Sequence, residues 1–196
     1  MFSSVFKKFL VGLCVLGFGV SATAYAETPE QLIRRLSSNV TTAVKTDAGL
    51  KNGSAARIMS YVDTNIMPYV DFRNMVGSVV GPAWGKASAA EQNELLVESK
   101  RYLARTYASS LKGGDITSID VAPTSGNVVR TRINRNNGKP IAVTYSLRNS
   151  GGWKVYDVNV QGVSLISTFR SQFKPIADKS GVAGLTAYLK NKRSCL

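Results

Sequence analysis

The chain has 196 residues, 25 Lys and Arg against 12 Asp and Glu, a formal charge of +13 and a sequence pI near 10.0. Histidine is absent, which removes the commonest general base and the commonest metal ligand together and so excludes Ser-His-Asp and zinc-hydrolase chemistry. The only cysteines are Cys14 and Cys195.

Residues 1–26 have the layout of a cleavable export signal. Lys7 and Lys8 form a basic start, Phe9 to Val20 an apolar run too short to span a bilayer, and Ala24-Tyr25-Ala26 a small-x-small cleavage site. Cys14 lies inside the apolar run behind Leu13 rather than a small residue, so a lipoprotein-type site is not expected. Cleavage after Ala26 leaves 170 of the 196 residues, enough for one domain spanning 27–196. The signal carries two of the 25 basic residues and no acid, so 23 against 12 remain, a net +11. In the cytoplasm this charge would suggest nucleic acid, but an exported protein meets anionic lipid headgroups and acidic protein faces instead. Cys195 alone survives cleavage, so no intramolecular disulfide can form and stability must come from packing.

Thr28-Pro29-Glu30-Gln31 combines an N-cap, a first-turn proline and capping-box spacing, and Leu32, Ile33, Leu36, Val40 and Val44 continue a stripe at helical period. After the break at Gly49 to Gly53, Ile58, Met59, Val62 and Ile66 predict a second helix that stops before Pro68. Asp71 is placed to cap a short third helix carrying Phe72, Met75, Val76 and Val79, ended by Gly81-Pro82. Ser88 to Glu91 is a second capping box, opening a long helix through Leu95, Leu96, Leu103, Tyr107 and Leu111 to Gly113-Gly114. The period then changes to two for four strands: Ile119 and Val121; Val129 to Ile133; Ile141 to Leu147; and Trp153 to Val160. Asn136-Asn137-Gly138-Lys139 and Arg148 to Gly152 are hairpin connections, so these strands form an antiparallel meander. Ile141, Val143, Tyr145 and Leu147 share one face; Ala142, Thr144, Ser146 and Arg148 share the other. Helical spacing returns with Leu165, Ile166, Phe169 and Phe173, and a last turn or two holds Leu185 and Leu189. The fold class is α+β: helices, a four-stranded antiparallel curved sheet, and closing helices.

Glu91, Glu94 and Glu98 form one candidate carboxylate group for acid-base work, and Asp157 is another candidate. Glu91, Glu94 and Glu98 share one helical face, and their place in the first turns reads as macrodipole complement on a solvated face. Asp157 falls by alternation on the face of Trp153 and Val155, where a structural hydrogen bond or ion pair is a simpler reading than catalysis. A small-molecule isomerase or hydrolase-type enzyme on a cone-shaped fold, with Asp157 or Asp71 as base, is the alternative reading.

Pro68-Tyr69-Val70-Asp71-Phe72, Gly81-Pro82-Ala83-Trp84, the segment from Arg101 to Ala108, Trp153 to Val158, Gly162-Val163-Ser164-Leu165 and Gly181 to Leu185 occur in one order over nearly the whole exported chain. Together they resemble the MlaC family, also called the toluene-tolerance family. The resemblance implies a non-catalytic, cofactor-free periplasmic protein. Such a protein binds glycerophospholipid and exchanges it with an outer-membrane lipoprotein complex and an inner-membrane ABC transporter carrying MCE domains. It also implies an NTF2-like arrangement in which sheet and helices enclose an apolar cavity, the headgroup staying near solvent. Phospholipid tails are then expected to meet residues facing the junction of sheet and helices: Phe72, Met75, Val76, Val79, Tyr107, Val143, Tyr145, Val163, Ile166 and Phe169. Val163 is expected at the cavity mouth, on the turn made by Gly162 and Ser164. A monomer suits a diffusing shuttle, no nucleic-acid partner is expected, and no metal or cofactor is required.

Overall fold

The computed structural model describes residues 27–108, 116–124 and 126–192. The expected export signal, Leu111, the expected helix end at Gly113-Gly114, and Cys195 fall outside them.

The amino-terminal capping box forms as the sequence requires. Helix α1 (Pro29–Thr46) opens with Thr28 Oγ1 accepting from Gln31 N and Gln31 Oε1 accepting from Thr28 N. Its apolar stripe, Leu32, Ile33 and Leu36, packs on Val121, Val129, Leu147 and Val155 of the sheet. The break at Gly49 to Gly53 contains a further one-turn helix, α2 (Ala48–Lys51), capped by Asp47. Helix α3 (Ala55–Asn65) ends before Pro68, and a 3-10 turn (Met67–Tyr69) carries that proline.

Helix α4 (Phe72–Val80) starts at Asp71, but the carboxylate does not cap it. Asp71 accepts instead from Arg148 Nε at 2.8 Å and from Asn74 Nδ2 at 2.8 Å, because the neighbouring guanidinium offers a stronger, charge-assisted partner than a backbone amide. Gly81, at φ 75, closes α4 in a left-handed conformation and leads into α5 (Pro82–Lys86). Helix α6 (Ala89–Ala108) opens on the second capping box, with Glu91 N donating to Ser88 Oγ and Ser88 N to Glu91 Oε2.

The sheet is antiparallel and open, in the order β1 (Ile116–Val121), β2 (Val128–Arg135), β3 (Ile141–Asn149), β4 (Trp153–Val160) and β5 (Val163–Ser164). The four expected strands are joined by a fifth of two residues. It forms because Gln161 (φ 51) and Gly162 (φ 90) turn the chain tightly enough for Val163 to pair with Val160. A register shift in β4 sets Leu147 against Val155 but Ser146 against Asp157, leaving Tyr156 as the extra, bulged residue. The bulge moves Asp157 off the face of Val155 and puts Val158, opposite Tyr145, on it. The expected face for Asp157 is therefore corrected.

Helix α7 (Leu165–Asn191) is one long element broken at Gly181 (φ 68), so Leu185 and Leu189 belong to ten residues of helix rather than a last turn or two. It packs with α4, α5 and α6 around Leu95, Val80, Leu185 and Leu189, all 1% exposed or less. Asp157 ties this layer to the sheet: it accepts from Val158 N at 2.8 Å, Ser164 Oγ at 2.8 Å and Ile166 N at 3.4 Å, at the start of α7.

Candidate functional site

Three apolar cavities lie between the layers, and the first two share walls. The first, about 80 Å³, lies between α4, α6 and the start of α7, walled by Phe72, Met75, Val76 and Val79, by Leu95, Tyr102 and Leu103, and by Ile166, Phe169 and Phe173. Its aromatic side is rigid, since Phe169 and Phe173 stack at 5.6 Å and Tyr102 meets both edge-on. The second, about 260 Å³, separates α3 from α6 and is lined by Ile58, Met59, Val62, Met67, Phe72 and Leu103. The third, about 310 Å³, lies between α1 and the sheet, against Ile33, Leu36, Val40, Ile66, Val70, Ile119, Ile133, Tyr145, Val155 and Val158. Phe72 and Leu103 belong to the walls of both the first and the second.

Of the ten expected tail-binding residues, Phe72, Met75, Val76, Val79, Ile166 and Phe169 come together in the first cavity, and Tyr145 lines the third. Val143 is buried within the sheet and lines none of the three. Val163 is 58% exposed on the β4–β5 turn, outside all three walls. Tyr107 lies on α6, and its side chain falls outside the described residues. The residues that sequence reasoning missed are chiefly those of the third cavity. Ile119 and Ile133 were legible as one sheet face, whereas Val158 joins it only through the bulge at Tyr156; the space above them depends on how high α1 rides over that face, and periodicity carries no such distance.

Carboxylates near the cavities are paired: Asp63 with Lys100, Asp71 with Arg148 and Glu98 with Arg101. Contrary to expectation, the carboxylates of α6 do not share one solvated face, because Glu98 is only 2% exposed and pairs with Arg101 at 2.7 Å. Glu91 serves the capping box and Glu94 pairs with Lys190. Burial pushes the Asp71 carboxyl up, but hydrogen bonds from Arg148 and Asn74 outweigh it and hold the group below the ordinary aspartate value. Burial likewise raises the Tyr145 hydroxyl, with Thr131 offsetting part of the effect. Neither Asp157, which accepts three hydrogen bonds, nor Asp71, which faces a guanidinium, is placed as a free base. Among the described residues, no three His, Cys, Asp or Glu side chains converge to hold a metal, and no helix is long and apolar enough to cross a membrane.

A helix-and-sheet shell around apolar cavities, two of them sharing walls, is the architecture of a protein class that can hold apolar cargo. A family model described as MlaC protein matches residues 34–191, and the chain belongs to the MlaC family. Two curated relatives agree. The toluene tolerance protein ttg2D of Pseudomonas putida is 25% identical over 166 residues, covering 81% of this chain and 77% of its own. The intermembrane phospholipid transport system binding protein MlaC of Haemophilus influenzae is 23% identical over 188 residues, covering 90% and 88%. Among solved structures, a phospholipid-binding protein from Ralstonia solanacearum in complex with a phospholipid superposes with a TM-score of 0.77 at 30% identity, covering 85% of this chain and 97% of that one.

Proposed function

We propose that the protein is a non-catalytic periplasmic carrier that holds glycerophospholipid by its acyl chains in the apolar cavities. In this reading residues 1–26 are an export signal cleaved after Ala26, and residues 27–196 form one lipid-binding domain that travels as a monomer. It shuttles lipid between an outer-membrane lipoprotein complex and an inner-membrane ABC transporter carrying MCE domains, and so maintains outer-membrane lipid asymmetry. The observation that carries the reading is the pair of shared walls at Phe72 and Leu103, which lets small cavities join around a long, flexible apolar chain.

Energetics support retention. Each buried methylene contributes about 0.8 kcal/mol, so roughly 30 methylenes of two ordinary chains give about 25 kcal/mol of gross transfer. Ordering costs reduce this heavily, yet escape into water stays slow. Release then requires docking, where tails pass directly between apolar environments, and the net charge of +11 that remains after cleavage favours encounter with anionic surfaces. The test is mass spectrometry of material co-purifying with the protein. Stoichiometric phospholipid is expected; an empty protein, or one carrying a small polar metabolite, overturns the carrier reading.

A further inference from the structure

A second, polar recess of about 440 Å³ lies on the outer side of α4, between Asp71, Asn74 and Ser78 on one wall and Arg148, Ser150 and Tyr156 on the other. Met75 belongs both to this recess and to the first apolar cavity. One partly buried, flexible thioether thus forms part of both a polar and an apolar wall. We propose that this recess receives the headgroup of the bound lipid and favours a zwitterionic one, an ammonium joined to a phosphate diester, over an anionic one. The proposal rests on the carrier reading above.

The charge arrangement is specific. Arg148 donates Nε and Nη2 to the same oxygen of Asp71, Oδ2, and its Nη1 makes no hydrogen bond among the described residues. The guanidinium is held 5.5 Å over the Tyr156 ring, which limits its swing. Asp71 Oδ1 accepts from Asn74 Nδ2. The pair is not sealed in: the Arg148 side chain is 44% exposed and that of Asp71 15%. A plain structural staple between α4 and the sheet needs no open polar recess around it. A cation and an anion side by side on a recess wall match a ligand that carries the same two charges in reverse. Phosphate oxygens meet Nη1 and the Ser150 hydroxyl, while the ammonium meets the Asp71 carboxylate. A phosphate esterified to neutral glycerol leaves Asp71 facing an anion with no compensating cation.

The protein is first stripped of bound lipid, then equilibrated in phosphate-free buffer with vesicles of equal phosphatidylethanolamine and phosphatidylglycerol, re-isolated, and its lipid quantified by mass spectrometry. Two partly exposed charge contacts predict about fivefold enrichment of the ethanolamine lipid. Asp71→Asn combined with Arg148→Gln keeps the net charge and should return the ratio to that of the vesicles with total lipid unchanged. Ser150→Lys, on an exposed hairpin turn, keeps the fold and should shift the ratio toward phosphatidylglycerol. Protein that takes up no phospholipid refutes the carrier reading. Lipid bound at the vesicle ratio, or enrichment that survives both variants, refutes the headgroup recess alone.

Discussion

Replacing Asp157 with alanine tests directly whether this carboxylate is a staple of the fold or a reactive base. Its two oxygens accept from Val158 N and Ser164 Oγ at 2.8 Å each and from Ile166 N at 3.4 Å, so truncation strands one helix-entry amide, one strand amide and one hydroxyl. The long contact counts for little, and water reaches this half-buried site. Two effective bonds to a charged acceptor then give a loss of about 2–3 kcal/mol. In a domain of this size that corresponds to about 4–12 °C in thermal midpoint. Asp157→Asn retains an amide oxygen for the two backbone donors and should lose less than about 1 kcal/mol. Urea and thermal unfolding of delipidated protein supply both numbers, and co-purified lipid in both variants should match the parent. Alanine and asparagine variants equally stable, or an asparagine variant that folds normally yet carries no lipid, would refute the reasoning.

Other consequences follow from the packing and the ion pairs. Leu95→Ala, at a fully buried position between α6 and α7, is expected to cost about 3 kcal/mol by denaturant unfolding. Leu103→Trp places a bulky ring in the wall common to two cavities and should lower co-purified lipid severalfold while circular dichroism stays unchanged; full lipid loading would show that the two spaces need not join. Asp71, Glu27 and Glu91 all have carboxyls held below their ordinary values, the first chiefly against its own burial by Arg148, the second by Arg35 and the third by Ser88 N–H. A depressed folded value contributes stability above the unfolded value near about pH 4 and loses it as pH falls further. Thermal midpoints should therefore be level from pH 7 to 5 and drop below about pH 4, with Asp71→Asn showing a shallower drop; midpoints that rise on acidification contradict this.

The sequence alone determined the elements whose cause is local. The capping boxes at Thr28 and Ser88, the left-handed Gly81 before Pro82, and the two-residue alternation from Ile141 to Leu147 each specify their structure through a hydrogen bond or a steric restriction a few residues long. The absence of histidine likewise limited the chemistry before any fold was known. The bulge at Tyr156 was not legible, because alternation counts residues while register is settled by which strand faces which. That single slip turned Asp157 from a core-facing group into the anchor of α7. Glu98 was read as solvated because helical periodicity marks a face but not what covers it. The cavities belong entirely to the tertiary structure: Phe72, Leu103 and Ile166 are ordinary stripe residues in the sequence. Only the spacing of packed layers, set by the summed volumes of side chains from distant segments, decides whether such residues fill a core or wall a space.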